Sequence, residues 1–230
     1  MAYMDVKILY CDRDILLCEK PAGMPSQPDP SGQMDLLSAL AENRKNVSLV
    51  HRLDTPTGGV MAFALSQKAA SKFGALVQDH EKFKKEYLAV LPAMPEKEQG
   101  TLCDILFHDK RLNKAFVVDK ARKGAKEASL EYRVISTLDD GRTLVLVRLH
   151  TGRTHQIRVQ FASRGLPLAG DGKYGSREKC PFIALWAYRL TFPHPVTGKT
   201  VSAVSEPNAE TLPWSCFGNI SEIFDTEEKQ

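Results

Sequence analysis

The chain has 230 residues, of which 43% are hydrophobic and 26% charged, and its 31 Lys and Arg residues against 28 Asp and Glu give a formal net charge of +3. This length suits one domain or two small lobes with a substantial core, and the composition is that of an ordinary globular protein. The small net charge does not by itself require a polyanionic partner. Because no stretch approaches the roughly 20 apolar residues of a membrane span, we expect no membrane segment.

The cysteines indicate a reducing compartment. Five of them are scattered along the chain without a CxxC pair, which argues against a disulfide framework and against a zinc site. The N-terminus from Met1 to Leu9 lacks the long apolar run of a secretory signal. We therefore expect a cytoplasmic protein with free thiols and no bound metal.

Apolar patterning in the first half predicts strands that alternate with two helices. A turn-forming segment, Asp12-Arg13-Asp14, separates the first two strands, and a loop rich in Pro, Ser, Gly and Asp follows from Pro25 to Gly32. The predicted strands cover 6–10, 15–19, 60–65 and 87–91, and the predicted helices cover 34–43 and 69–77, with Ser66 as N-cap of the second.

The second half is richer in strand signals. Strands are predicted over 115–119, 130–136 and 143–150, and a helix over 156–164 with Thr154 as its N-cap and Gly165 as its end. Because strands and helices do not alternate regularly, the pattern favours an α+β fold with a mixed or antiparallel sheet.

The segment from His51 to Val60 carries the most informative chemistry. It places the carboxylate of Asp54 beside Arg52 and just before a Thr-Gly-Gly turn, at the entrance to the predicted strand 60–65. A loop that enters a buried strand is both rigid and accessible, which suits a catalytic side chain.

An aspartate can act as a nucleophile when it stays ionised while partly buried. Burial raises the pKa of an Asp, whereas an arginine within about 4–6 Å lowers it by about 1–3 units. The candidate partners of Asp54 are Arg52, Arg153 and Arg158. Alone, the Asp54 segment would more simply be a capped turn, but the second arginine-rich segment, 151–158, favours the functional interpretation.

Other polar residues remain open to two interpretations. His51 and His155 do not have the spacing of a metal site, and nearby arginines would repel a cation, so a structural or phosphate-binding role is favoured. Tyr87 is either a core residue or an aromatic face on which a base stacks. Basic residues cluster at 82–85 and 110–126, where seven positive side chains could neutralise several phosphates or could simply form a solvated surface.

Taken together, these motifs resemble the pseudouridine synthases, in the branch typified by RluA. The resemblance covers most of the chain. Its motifs are His51-Arg52-Leu53-Asp54-x-x-Thr57-x-Gly59, Lys85-x-Tyr87, Gly152-Arg153-x-His155-Gln156-Ile157-Arg158, Gly170-Asp171-x-x-Tyr174-Gly175 and, near the N-terminus, Lys20-Pro21-x-Gly23.

The resemblance implies isomerisation of uridine to pseudouridine in RNA without any cofactor. It implies a long mixed, mainly antiparallel sheet in two lobes with flanking helices and a central catalytic cleft. Asp54 would be the catalytic nucleophile or base, Tyr87 would stack on the target base and Arg158 would pair with Asp54. The implied RNA- and base-binding residues are Arg52, His51, Arg153, His155, Ile157, Leu168 and Lys85.

Two positions depart from the family pattern. Gly58 stands where the signature usually has Ser, and Trp186 stands where the branch commonly has His. We expect one catalytic domain over 1–218, an acidic tail over 219–230 and no S4-type RNA-binding domain. The expected partner is an rRNA or tRNA stem-loop, bound by a monomer.

Two alternatives to the uridine isomerase are a noncatalytic RNA-binding or ribosome-assembly factor on the same scaffold, and a hydrolase that uses Asp54 with His51 or His155. The complete set of Asp, Tyr and Arg argues against the first, and the histidine spacing argues against the second. Attack of Asp54 on the ribose C1′ and abstraction of the C2′ proton are both compatible with the sequence.

Overall fold

The computed structural model describes residues 6–120 and 122–227. These fall into two compact units, the first formed by the described residues up to Lys85 together with Trp186–Pro207 and the second by Glu86–Leu185 and the described residues from Asn208 onward. Strands and helices do not alternate regularly along the chain, so the predicted α+β class is confirmed. Within the described ranges, no helix is both long enough and apolar enough to cross a membrane.

Unit 1 is a mixed sheet with two helices. Its strands are β1 (Ile8–Cys11), β2 (Ile15–Lys20), β3 (Ser48–Leu49), β4 (Gly58–Ala64), β11 (Thr200–Val204) and most of β10 (Leu185–Pro193), and its helices are α1 (Leu36–Ala41) and α2 (Gln67–Leu76). The order is β1-β2-β4-β10-β11, with β3 also paired to β4. All these pairs are antiparallel except β4 with β10, which run parallel.

The core of unit 1 follows from the patterning of β4 and α2. Val60, Ala62 and Ala64 alternate on β4 and pack in one cluster with Phe73 of α2 and with Phe83. Ser66 is the N-cap of α2 because its hydroxyl accepts the N–H of Ala69, as predicted. The buried strand that follows the Asp54 segment is thus fixed by packing on one face of the sheet, which holds the preceding loop in place.

Unit 2 is an antiparallel sheet crossed by a short helix. Its strands are most of β5 (Lys84–Leu91), then β6 (Gln99–Asp109), β7 (Lys114–Val117), β8 (Ala125–Thr137) and β9 (Thr143–Leu149), in the order β5-β9-β8-β6-β7. Its α-helices are α3 (Gln156–Ala162) and α4 (Ile220–Glu227), and two 3-10 turns cover Gly172–Tyr174 and Trp214–Cys216. Val159 of α3 packs on Leu106, Ala115 and Ala128.

The predicted strands are confirmed within a few residues at their ends, and both early helices form, although α1 is shorter than predicted. Thr154 as N-cap is wrong: the N-cap is His155, which has φ +54° and makes no capping bond with its side chain. The helix α4 lies within the segment 219–230 expected to be a tail, and its Phe224 is buried. Residues 228–230 of that segment, and the start of the N-terminal segment, lie outside the described residues.

Candidate active site

Asp54 lies in a tight turn between β3 and β4. Its carbonyl accepts the N–H of Thr57 at 2.9 Å, which closes the turn. The preceding residue, Leu53, is clamped at both backbone groups by Ser26, whose hydroxyl accepts from the Leu53 N–H at 3.1 Å and donates to the Leu53 carbonyl at 2.9 Å. The side chain of Asp54 is half-buried, so the carboxylate is held by a rigid backbone and still reaches solvent.

A buried lysine supports this turn. Lys20 is fully buried at the end of β2, and its ammonium donates to three backbone carbonyls, those of Pro21 at 2.8 Å, Met24 at 2.6 Å and Thr55 at 3.1 Å. Burial lowers the pKa of Lys20 to about 7, and the negative charge of Asp54 acts in the opposite direction. The sequence motif contained Lys20 but did not predict its role, because nothing in the spacing of residues 20 and 55 reveals their contact.

The two departures from the family pattern meet in unit 1. Trp186 is paired with Gly58 across the parallel strands, and a Cβ atom at position 58 would lie 2.1 Å from Cζ3 of the Trp186 ring. The indole N–H donates to the carbonyl of Ser205 at 2.9 Å, which fixes the ring in place. Gly59 has φ +114° and its missing Cβ would lie 2.2 Å from the carbonyl oxygen of Ala187. Only glycine therefore fits at either position beside these neighbours.

His51 lies inside unit 1 as a hydrogen-bond acceptor. Its Nε2 accepts the N–H of Ala62 at 3.1 Å, and its ring packs edge-on against Phe83 at 5.5 Å. Burial, and then the positive charge of Lys85, lower the pKa of His51 to about 3, so the ring is neutral at physiological pH. Lys85 is itself buried, and burial lowers its pKa to about 8. Arg52, by contrast, is exposed.

In unit 2, Tyr87 lies on β5 opposite Val147 of β9 and is 7% exposed. Leu168 is fully buried, and the next residue donates its N–H to the carbonyl of Val90 on the same strand β5 at 2.9 Å. Ile157 is also buried, in the first turn of α3. These side chains are the apolar part of the predicted site within unit 2.

Arg158 is held by the buried carboxylate of Asp171, a residue of the predicted motif 170–175 whose contact with Arg158 the sequence did not predict. Its guanidinium donates to both oxygens of Asp171, from Nε at 2.7 Å and from Nη2 at 2.8 Å, and both side chains are almost fully buried. The guanidinium also lies 5.1 Å from the ring centroid of Tyr174. A bidentate pair of this kind fixes the plane of the guanidinium. Asp171 is 13 residues away and outside the helix, so periodicity gives no sign of this contact.

The loop before α3 is tied down by side chains rather than by a regular cap. Gln156 accepts from the hydroxyl of Thr151 at 2.7 Å and from the N–H of Arg153 at 3.0 Å. Arg153 donates from Nε to the carbonyl of Glu127 at 2.8 Å. The left-handed backbone of His155 is sparsely populated for a residue with a Cβ, and such strain is often found at functional sites.

Each unit thus contributes a fixed part of the predicted set. Asp54, Arg52, His51 and Lys85 belong to unit 1, and Tyr87, Arg153, His155, Ile157, Arg158 and Leu168 belong to unit 2. Among the side chains that the structure describes, no group of three His, Cys, Asp or Glu residues is arranged to hold a metal ion.

Comparisons with known proteins identify the family. The family model described as RNA pseudouridylate synthase matches residues 14–163. An uncharacterized RNA pseudouridine synthase of Aquifex aeolicus is 35% identical over 88% of this chain and 70% of its own length. The dual-specificity RNA pseudouridine synthase RluA of Yersinia pestis is 31% identical over 83% of this chain and 94% of its own length.

Solved structures share the fold. The structure of human RNA pseudouridylate synthase domain containing 1 superposes with a TM-score of 0.77 at 21% identity, covering 100% of this chain and 97% of the human one. Human RNA pseudouridylate synthase domain containing 4 gives a TM-score of 0.72 at 23% identity, over 88% of this chain and 89% of its own. The chain therefore belongs to the RNA pseudouridine synthases, in the RluA-like branch, and is an enzyme that isomerises uridine to pseudouridine in RNA.

Proposed function

We propose that Asp54 starts the isomerisation of a specific uridine in RNA, and that Tyr87 and Arg158 are the other two catalytic residues. The turn that carries Asp54 supports this proposal, because hydrogen bonds fix its backbone on both sides of the half-buried carboxylate. One of these bonds is donated by the ammonium of Lys20 to the carbonyl of Thr55. A positioned, ionised carboxylate is the group that covalent or general-base chemistry at the ribose needs.

The reaction breaks the bond between C1′ and N1 and forms one between C1′ and C5. Asp54 either attacks C1′, forming an ester that breaks when the base rejoins, or removes the C2′ proton and returns it when the base rejoins. Both routes release uracil, which rotates and rejoins C1′ through C5. The proton on C5 is then lost and N1 gains one, so the atoms balance and no cofactor is consumed. The target base must first leave its stack, which costs a few kcal/mol and less when it lies in a loop.

The remaining predicted residues serve to hold the flipped nucleotide. Tyr87 offers an aromatic face, and stacking of one base on such a face contributes about 1–3 kcal/mol. Ile157 and Leu168 supply apolar lining. Five further side chains would contact RNA or the flipped base: Arg52, His51, Arg153, His155 and Lys85. His51 would act in its neutral form, since its pKa is lowered to about 3.

We further propose that the substrate is a stem-loop of rRNA or tRNA and that the enzyme acts as a monomer in the cytoplasm. All five cysteines are free thiols, in keeping with a reducing compartment. The catalytic domain would span 1–218, followed by the acidic segment 219–230. Size-exclusion chromatography with light scattering tests the monomer, since a particle of twice the chain mass would contradict it.

Mapping pseudouridines in total RNA tests the proposal. Cells that lack the gene would be compared with cells complemented by the wild-type chain or by D54N. We expect one or a few sites to disappear on deletion, to return with the wild type and to stay absent with D54N. Return of the sites with D54N would exclude Asp54 as the catalytic group. An unchanged map in all strains would favour a noncatalytic RNA-binding role.

A further inference from the structure

One strongly basic surface in unit 2 has no part in the chemistry described above. It is formed by the connection between β6 and β7, by residues 118–120 and 122–124 between β7 and β8, and by the start of β8. Between residues 109 and 126 there are seven Lys and Arg against two Asp, a local charge of 7 − 2 = +5. The exposed basic side chains, here called the basic hairpin surface, are Lys110, Arg111, Lys120, Arg122, Lys123 and Lys126.

Carboxylates of the described residues do not neutralise these charges. Within residues 6–120 and 122–227, none of the six side chains forms an ion pair with a carboxylate. One of the two nearby acids is occupied elsewhere, because the Asp109 carboxylate accepts the backbone N–H groups of Arg111 at 2.8 Å and Leu112 at 3.1 Å and so caps the turn. The positive potential of the surface is therefore open to an external anion.

Aromatic side chains accompany the charges. The guanidinium of Arg122 lies 3.6 Å from the ring centroid of Phe107, and Phe116, directly opposite Phe107 in the sheet, is 37% exposed. A guanidinium that rests on a ring keeps its N–H donors in its own plane, where they can reach phosphate oxygens. Exposed aromatic rings beside Lys and Arg are the combination with which proteins bind RNA backbone and unstacked bases.

The surface is also attached to the helix that carries Arg158. The hydroxyl of Tyr174 accepts the N–H of Ala115 on β7 at 2.8 Å and shares a hydrogen bond with Nδ1 of His155 at 2.9 Å. At the tip of the hairpin, Lys173 donates to the carbonyl of Asn113 at 3.0 Å. RNA held on the hairpin would thus be held at a fixed distance from the first turn of α3.

We propose that the basic hairpin surface docks the phosphate backbone of the substrate RNA outside the target nucleotide and sets the affinity of the enzyme for that RNA. This inference rests on the proposed function, because it takes RNA as the substrate. Each phosphate that the surface neutralises releases condensed counterions, so binding must weaken steeply as salt increases.

The test compares the salt dependence of RNA binding in matched variants. Two pairs, K110Q/R111Q and K120Q/K123Q, each remove two charges from the surface, and K68Q/K72Q removes two exposed charges from α2 as the control. The probe is a labelled stem-loop transcript with uridines in its loop, titrated over a series of KCl concentrations. D54N in every variant prevents turnover during the titration.

Each lost phosphate contact reduces the slope of log Kobs against log[KCl] by about 0.7 for single strands to about 0.9 for duplex. We expect each hairpin pair to reduce the slope by about 1.4–1.8 and the control pair to leave it unchanged. When Asp54 is kept, the same pairs of substitutions should raise KM and leave kcat unchanged. An unchanged slope in both hairpin pairs, or an equal reduction in the control, would overturn the proposal. If the hairpin pairs reduce the slope but the enzyme with Asp54 forms no pseudouridine, the proposed function is refuted, whereas the proposal that this surface binds RNA is supported.

Discussion

The contact between Gly58 and Trp186 makes a sharp prediction about substitution at either position. The variant G58S introduces the residue that the family signature usually has. Its Cβ would lie 2.1, 2.7 and 2.8 Å from three atoms of the indole ring, so the ring or the strand must move. We expect that W186H, which introduces the residue common in this branch, removes the obstacle and rescues G58S.

The size of the effect follows from the packing. Excess volume in a well-packed core costs about 1–3 kcal/mol, and displacement of the indole weakens its hydrogen bond to Ser205, worth about 1 kcal/mol. The expected loss of about 2–4 kcal/mol lowers the Tm by about 4–16 °C for a chain of this length. W186H alone leaves a cavity and is also destabilising. The double variant should lose about 1–3 kcal/mol less free energy of unfolding than the sum of the two single losses.

The assay is a double-mutant cycle read by urea unfolding and by kcat. Because Gly58 follows directly on the turn of Asp54, G58S should lower kcat by about tenfold to a hundredfold, and the double variant should recover most of it. G74S is the matched control, since a Cβ at Gly74 meets no atom within 4 Å, and should change the free energy of unfolding by less than about 0.5 kcal/mol. Additive losses in the double variant would refute the reasoning.

Three further predictions concern charged and titratable groups. Lysine-selective NMR should find Lys20 titrating at about pH 7, and lower in D54N, because the charge of Asp54 raises the pKa of Lys20; an equal or higher value in D54N would contradict this. Because the folded state holds His51 neutral with a pKa of about 3, against about 6.5 when unfolded, stability should be lost as pH falls from about 6.5 to 3. H51Q should flatten that part of the curve of unfolding free energy against pH, and an equally steep curve would exclude His51 as its source. D171N removes the bidentate Asp171 carboxylate from the buried guanidinium of Arg158 and should cost about 3–5 kcal/mol on urea unfolding and lower kcat, whereas wild-type values would show that the pair is dispensable.

Local patterning predicted most of the fold. The strand β4 and the cap at Ser66 follow from a continuous apolar run and a hydroxyl at the correct offset, and both are local properties. The strands β3, β6, β10 and β11 were missed. In β6, half-exposed polar residues alternate with few buried apolar ones, so its strand character comes from pairing with β7 and β8 rather than from its own sequence.

The site was predictable to the extent that it consists of motifs. The position of Asp54 on a rigid turn agrees with the prediction from the sequence, whereas the long-range hydrogen bonds that hold the site in place could not be predicted from it. Lys20 contacts the carbonyl of Thr55 across 35 residues, and Arg158 meets Asp171 through a fold-dependent path. The N-cap of α3 was misplaced because Thr154 has the better capping side chain, whereas the observed N-cap is His155, whose left-handed backbone is uncommon for a residue with a Cβ atom.

The most direct test of the central claim, that Asp54 carries the chemistry, is single-turnover release of tritium from RNA labelled at C5 of uridine. The purified wild-type chain should release tritium in step with pseudouridine formation, because the C5–H bond is broken in every turnover. D54N should bind the same RNA with nearly unchanged Kd and release none above background. Release by D54N at a rate close to that of the wild type would contradict the account.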